Sequence, residues 1–383
     1  MIHAVEELFG WLSNKALPLW STKGVDFEQG GFIERINPDG GLIGDVRRAR
    51  LVARQIYAFR TANELGWSGP GRELAQHGLT ALVANHISDD DMVIPVYMPA
   101  TGRSEGGFDL YDQAFALFGL ANAARLGHQE ELEARALRIL ARMREGWGHP
   151  VGGFAESRPP AAPLKANPHM HTLEAALSWR EISNDAAWSS LADEIVGLCL
   201  ERFLSPRTGA LHEFFDAEWR IDHGSQLDVV EPGHQAEWSW LLLRWGFVTN
   251  QLDTVLPAAR RLFDIAENEG CNVAQCRLVN ELDANLVPKW DHMRLWPQTE
   301  RIKALILFAE WTDSQADRAE LEALLGGAVS ALLDYFDHPI AGSWWEHIAP
   351  DGKAVVEQAR ASSLYHIMGA AAELARFTGA RLA

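Results

Sequence analysis

Glu231-Pro232-Gly233-His234-Gln235-Ala236-Glu237-Trp238 runs straight into Ser239-Trp240-Leu241-Leu242-Leu243. Proline and glycine end whatever precedes them, and an apolar, helix-forming run begins at once. His234 and Glu237 therefore fall three residues apart on the first turn of a helix, where side chains at that spacing share a face. A carboxylate beside an imidazole that titrates near neutrality is the minimum equipment for moving protons on and off carbon without a metal. The plainer alternative is that His234 caps a helix and Glu237 complements its dipole. The company this stretch keeps along the chain decides between the two.

Outward from it, the same pattern recurs. A glycine- and aromatic-rich turn precedes a helix whose start is dense in polar groups, and a plainer amphipathic helix returns. The polar starts lie near Arg47, Asp109, Pro168, His234, Leu295 and Ser363, and are 62, 59, 66, 61 and 68 residues apart. The turns before them share a flavour: Gly30-Gly31-Phe32, Gly152-Gly153-Phe154, Gly209-Ala210-Leu211-His212-Glu213-Phe214 and Gly342-Ser343-Trp344-Trp345. Asn37-Pro38-Asp39-Gly40 reads as a hairpin turn. An opening segment from Ala4 to Trp20 has helical apolar spacing. Helical hairpins repeating near sixty residues bury their apolar faces against neighbours. With the opening helix as outer partner of the last, the count is twelve helices. The spacing thus predicts a ring of six pairs, with short β-hairpins in the loops at one end and residues 1–383 as a single domain.

Six inner helices whose starts lie at one end gather their first turns around one mouth. Those turns carry Arg47, Arg48, Arg50 and Arg54; Tyr111 and Asp112; Asn167, His169 and His171; His234 and Glu237; Trp296, Gln298 and Glu300; and Tyr365 with His366. Outer helices, such as Glu130 to Trp147, carry ordinary surface charge. A purely structural barrel has little reason to concentrate His, Arg and Glu at one end of one helix set, so the mouth is expected to be an active site.

Composition narrows the chemistry. The 383 residues are 47% hydrophobic and 22% charged, enough for a large core, and the formal net charge of −18 argues against nucleic acid and anionic membrane as partners. The N-terminus lacks the segments of a signal peptide, and no apolar run is long enough to span a bilayer, which predicts a cytoplasmic protein. Cys199, Cys271 and Cys276 form no CxxC pair and suit a reducing compartment. His169-Met170-His171 chelates zinc if extended, but on a helical turn the imidazoles diverge, so neither metal nor cofactor is expected. Nucleotide-binding loops and a Gly-x-Ser-x-Gly elbow are absent. Acid–base chemistry by several histidines remains, with arginine to hold oxygen atoms. The fifteen Trp residues fit sugar-ring packing as well as core filling.

As a set and in order, Arg54-Gln55, Asn167-Pro168-His169-Met170-His171, the stretch from Glu231 to Trp238, Leu295-Trp296-Pro297-Gln298-Thr299-Glu300 and Tyr365-His366 resemble the N-acylglucosamine 2-epimerase superfamily. That superfamily includes the N-acetylglucosamine and cellobiose 2-epimerases, the mannose isomerases and the sulfoquinovose isomerases. The resemblance spans nearly the whole chain, is nearest in feel to the mannose isomerases, and implies an all-α (α/α)6 barrel acting on a small sugar, as a monomer or homodimer. It implies that His234 and His366 are general base and acid around C1 and C2 of an open-chain sugar. Glu237 then orients His234, Arg54 contacts substrate oxygens, and His171 takes part in ring opening and binding. Asn167, Tyr111, Trp296, Gln298 and Glu300 complete the binding shell. His169 departs from the Asn expected at its place. The chemistry expected is aldose–ketose isomerisation of D-mannose and D-fructose through a cis-enediol. The alternatives are 2-epimerisation of N-acetylglucosamine, free hexoses or cellobiose, and, more remotely, an (α/α)6 glycoside hydrolase, which needs two carboxylates flanking the scissile bond, or a non-catalytic scaffold that binds a sugar or a protein.

Overall fold

The computed structural model describes residues 1–221 and 228–382. Its twelve helices are numbered in chain order. The opening helix α1 joins Ile2–Trp11, a π turn over Leu12–Ala16, and Leu17–Thr22. Then follow α2 (Ala49–Glu64), α3 (Gly71–His86), α4 (Leu110–Ala124), α5 (Gln129–Trp147) and α6 (Ala166–Arg180). The second half comprises α7 (Ala186–Leu198), α8 (Pro232–Thr249), α9 (Leu252–Asp264), α10 (Leu295–Trp311), α11 (Gln315–Leu333) and α12 (Ser363–Thr378). Each polar start expected from the sixty-residue spacing opens one of the even-numbered helices.

The even-numbered helices form the inner ring, each packing on the next, with α12 returning to α2 to close it. Their sequences explain the position: every residue from Leu295 to Ala309 in α10 is buried, and α8 is buried from Pro232 to Leu243. A helix covered on all sides belongs inside. The odd-numbered helices bury a single stripe, as α9 does with Val255, Ala259, Leu262 and Phe263. Helix α1 docks on α11. Trp11 stacks on Phe336 at 3.8 Å and Trp20 on Trp344 at 4.7 Å, so the first residues seal the last unit as expected.

Short two- and three-residue strands lie in the loops that lead into the inner helices. The pair just before an inner helix bonds antiparallel to a strand of a neighbouring unit: Arg47–Arg48 to Val96–Tyr97, Leu164–Lys165 to Phe214–Phe215, Met293–Arg294 to His347–Ile348, and Ala359–Arg360 to Arg35–Ile36. These pairs stitch the mouth of the barrel together.

A second device fixes the depth of each inner helix. Gln113, Gln235 and Gln298 each clamp one residue of the preceding loop, accepting its N–H and donating to its C=O, at Val93, Leu211 and Leu278 respectively. In α6 the clamp is His169: its Nε2 accepts from Phe154 N at 2.9 Å, and its Nδ1 donates to Lys165 O at 2.8 Å. Burial pushes the His169 imidazole down to about 4, so it stays neutral and keeps the tautomer that clamping needs. The unexpected histidine in the Asn-Pro-His-Met-His stretch is a structural one. Gln298, expected in the binding shell, also belongs to this set; its amide is consumed by Leu278 and Arg294 O.

Gln298→Ala leaves the buried N–H and C=O of Leu278 without partners, a loss of about 2–3 kcal/mol in unfolding free energy. Denaturant melts of the variant should show that loss with KM for the sugar unchanged; a KM effect without a stability loss would return Gln298 to the binding shell.

Candidate active site

The inner-helix first turns enclose a cavity of about 270 Å³. Arg54, Tyr111, Asn167, His171, His234, Glu237, Trp296 and His366, all singled out from the sequence, line it. Glu300 stands one layer behind, and Gln298 is outside, clamped to its loop. Arg50, Glu231, Arg294, Glu346, Arg360, Ser362 and Ser363 complete the lining.

Two histidines face this space from α8 and α12, and the Trp296 ring lies beside both, with centroids 4.8 Å from His234 and 5.7 Å from His366. Trp296 also explains Gly233: a Cβ there would lie 2.5 Å from the indole, so only glycine lets α8 start this close to α10.

The carboxylate that holds His234 is Glu213, not Glu237. His234 Nδ1 donates to Glu213 Oε1 at 2.9 Å, and Glu231 Oε2 lies 3.9 Å away. Glu237 shares the helix face but reaches past the imidazole toward the barrel axis, where neither of its buried oxygens is hydrogen-bonded. Glu213 comes from the Gly209–Phe214 turn, quoted above only for its composition. Its signal was there: a carboxylate following a histidine in a turn rich in glycine and apolar residues, beside the strand Phe214–Phe215 that pairs with the entry to α6.

The two histidines are held in opposite charge states. Burial alone would lower the His234 pKa, but Glu213 and then Glu231 outweigh it and raise it to about 10. His366 also has a carboxylate partner, Glu300 Oε1 accepting from Nδ1 at 2.9 Å. Burial nevertheless takes its pKa down to about 4, because Glu300 is already paired with Lys303 and because Arg54 faces the ring. At neutral pH His234 is an imidazolium, and His366 is a neutral imidazole whose Nε2 carries the free lone pair.

His171 is likewise neutral, its pKa lowered to about 4 by burial, with Nδ1 donating to Glu174 at 3.1 Å. Tyr365 donates to the same Glu174 at 2.6 Å. Arg54 is held by Tyr111, whose hydroxyl accepts from Nη2 at 2.6 Å, and by the Phe115 ring face 4.1 Å from its Cζ. That fixes a permanent cation in the pocket with its remaining donors free. Burial, followed by the nearby Glu300 charge, raises the Glu237 pKa well above the carboxylate range, so Glu237 is a neutral acid. His171, Glu174 and Glu237 bring ligand atoms within 4.8 Å of one another, as do Glu213, Glu231 and His234. The first of these groups faces Lys303, whose ammonium opposes a cation there. Among the described residues no helix is long and apolar enough to cross a membrane.

Residues 31–370 match the N-acylglucosamine 2-epimerase (GlcNAc 2-epimerase) family. The chain is 39% identical over 372 residues, 96% of each sequence, to a mannose-6-phosphate isomerase of Rhizobium meliloti (strain 1021). Its fold is similar to the crystal structure of a D-mannose isomerase, with TM-score 0.85 at 20% identity over 97% of both chains. A cellobiose 2-epimerase from Bacillus thermoamylovorans B4167 superposes equally well, with TM-score 0.85 at 19% identity over 98% of this chain and 100% of the other. Two opposed histidines, a fixed arginine and a closed ring of first turns thus sit in a chain that belongs to the N-acylglucosamine 2-epimerase family and is a sugar isomerase or epimerase.

Proposed function

We propose that the protein interconverts D-mannose and D-fructose by proton transfer through a cis-enediol. The observation that carries this is the pair of histidines lining one small pocket, each with its Nδ1 on a glutamate at 2.9 Å. His171 and its Glu174 partner bind the pyranose and assist ring opening. With the open chain in place, His366 Nε2 takes the C2 proton while the His234 imidazolium gives its Nε2 proton to O1, which yields the neutral enediol. Arg54 stabilises the negative charge that builds on oxygen as the C–H bond breaks. His366 then returns its proton to C1 and His234 recovers one from O2, leaving the ketose and both histidines as they began. One base serving C1 and C2 from the same face accounts for isomerisation. Proton delivery by His234 to the far face of C2 would give the 2-epimer instead. The 270 Å³ cavity suits a single hexose better than a disaccharide.

D-Mannose 6-phosphate is a second candidate substrate, supported by two guanidinia. Arg294 and Arg360 line the pocket, and neither forms a side-chain hydrogen bond or ion pair among the described residues. They leave two donor forks at the pocket, one just before α10 and one just before α12, the type of group that recognises a phosphate. The Rhizobium relative carries this substrate in its name.

Incubation with D-mannose in D2O, followed by NMR, should yield fructose; glucose without fructose would make the protein a 2-epimerase. His366→Ala and His234→Ala should each lower kcat by at least about 100-fold with the fold intact by circular dichroism, and substantial activity in either would sink the acid–base assignment.

The pH dependence of kcat/KM should be a bell, with its acid limb set by His366 near 4 and its alkaline limb by His234 near 10. A raised His234 pKa keeps the acid charged, and therefore active, up to the folded value. Glu213→Gln removes the largest favourable charge and should draw the alkaline limb toward neutrality; an alkaline limb that stays put would show that Glu213 does not hold the His234 proton.

If the phosphate ester is the better substrate, Arg360→Ala should raise its KM about 10-fold or more, the worth of one charge-assisted hydrogen bond, and leave the KM for D-mannose nearly unchanged. Equal effects on both sugars would remove the phosphate assignment.

A further inference from the structure

A second cavity, of about 330 Å³, enters the barrel from the end opposite the sugar mouth. Every inner helix contributes to its wall: Tyr57, Phe118, Ser178, Trp240, Lys303 and Gly369. Its rim residues Arg125, Glu181 and Arg376 are exposed, and Gly369, one turn from His366, is still partly open to solvent. His366 lines both cavities and so forms part of the floor between them.

Lys303 stands at the inner end of this shaft. It lies one turn beyond Glu300 on α10, is only 3% exposed at its side chain, and forms an ion pair with the Glu300 carboxylate whose other oxygen holds His366. Its Nζ sits 3.8 Å from the centroid of the Trp240 ring. Three acidic side chains face it from three helices, the ionised Glu174 on α6 and Glu300 on α10 and the neutral Glu237 on α8. Tyr57 on α2 and Tyr365 and His366 on α12 close the remaining sides, and Arg54 on α2 is the other cation near His366.

We propose that Lys303 is a positioning residue for the sugar reaction: its ammonium pins Glu300 against His366, and the far cavity is the route by which solvent reaches it. A buried ammonium is costly unless its counter-charges are fixed. Here the carboxylate it neutralises is the one that sets the tautomer and direction of His366. With Lys303 in place the full Glu300 charge is not free to hold a proton on His366, whereas Glu213 and Glu231 beside His234 form no ion pair with a lysine or arginine among the described residues, Arg294 acting on Glu231 only at longer range. The same Lys303 charge lowers the His366 pKa, while burial is the larger cause.

This inference rests on the proton-transfer chemistry proposed above, and its test separates the two. In protein labelled with 15N-histidine, the His366 ring should titrate at higher pH in Lys303→Met than in the native chain, with no sugar present. With substrate, Lys303→Met should lose about 10–100-fold in kcat, as loss of a group that orients a reacting one does, with KM within about twofold. The acid limb of its pH profile should move up, and Lys303→Arg should recover part of the loss. In Lys303→Ala, ethylammonium should restore turnover saturably, and adding Ala372→Phe to narrow the far cavity should abolish that rescue. A ring titration and kcat unchanged by Lys303→Met would overturn the assignment, as would a loss confined to KM. Folded Lys303→Ala that no ethylammonium concentration revives would overturn the solvent route. A moved ring titration in a protein that turns over none of the sugars would uphold Lys303 and overturn the proposed reaction instead.

Discussion

A side chain on the first turn of an inner helix that holds both the N–H and the C=O of one loop residue decides at what height that helix begins. Gln113, Gln235 and Gln298 do this, and His169 ties α6 to its loop in a related way, accepting from Phe154 N while its Nδ1 donates to Lys165 O just before the helix. Each bond replaces a backbone pairing that the loop lacks at the point where it turns inward, so the polar groups of both partners are satisfied without water. The strand pairs at the mouth add a tie between neighbouring units. Helices free to slide by one turn would carry their functional residues about 5 Å along the axis. Held at one height, residues some sixty positions apart in sequence converge on one small volume.

Within that volume, what each histidine is depends on the far side of its partner carboxylate. Both accept the same arrangement, Nδ1 on a glutamate at 2.9 Å. Glu300 is shared with Lys303 and its histidine looks at Arg54, whereas Glu213 is reinforced by Glu231. The same residue pair therefore yields a base on α12 and an acid on α8. Counter-charges two shells from the substrate make the difference, in the way that paired groups in divergent environments divide acid from base work.

The fold was legible because its periodicity is long and its punctuation strong. Six polar helix starts, a closing opening helix and glycine-rich turns are local features that survive into the structure unchanged. The lining of the site was legible for the same reason: a first-turn position implies a place at the mouth. What side chains do at that place was less so. Glu237 and Glu213 are both carboxylates near His234, and sequence distance favours the first; the turn of the chain at Phe214 delivers the second. Gln298 sits two residues from Trp296 and Glu300, yet a helix turns roughly 100° per residue, and its side chain points to the loop instead of the pocket. Lys303 reads as an ordinary helix-surface lysine until the ring of six helices encloses it.

Isomerisation and 2-epimerisation share the first step, loss of the C2 proton, and diverge only in which group reprotonates which carbon. In the proposed reaction His234 begins as a cation, and a cation beside a carbonyl gives its proton to oxygen before carbon, because oxygen is where charge accumulates. Once it has done so it is a neutral base under the influence of Glu213 and Glu231, which draw a proton back onto it. The nearest acidic hydrogen is then the enediol hydroxyl, not solvent. His366, left holding the carbon-derived proton in an environment that disfavours its charge, is the group under pressure to release it, and it faces the side from which the proton came. The same electrostatic asymmetry that names the base therefore also favours return to C1 over delivery to the opposite face of C2. To turn the pocket into an epimerase the charge on His234 would have to be held loosely enough for it to protonate carbon, which is a change in Glu213 and Glu231 and not in either histidine.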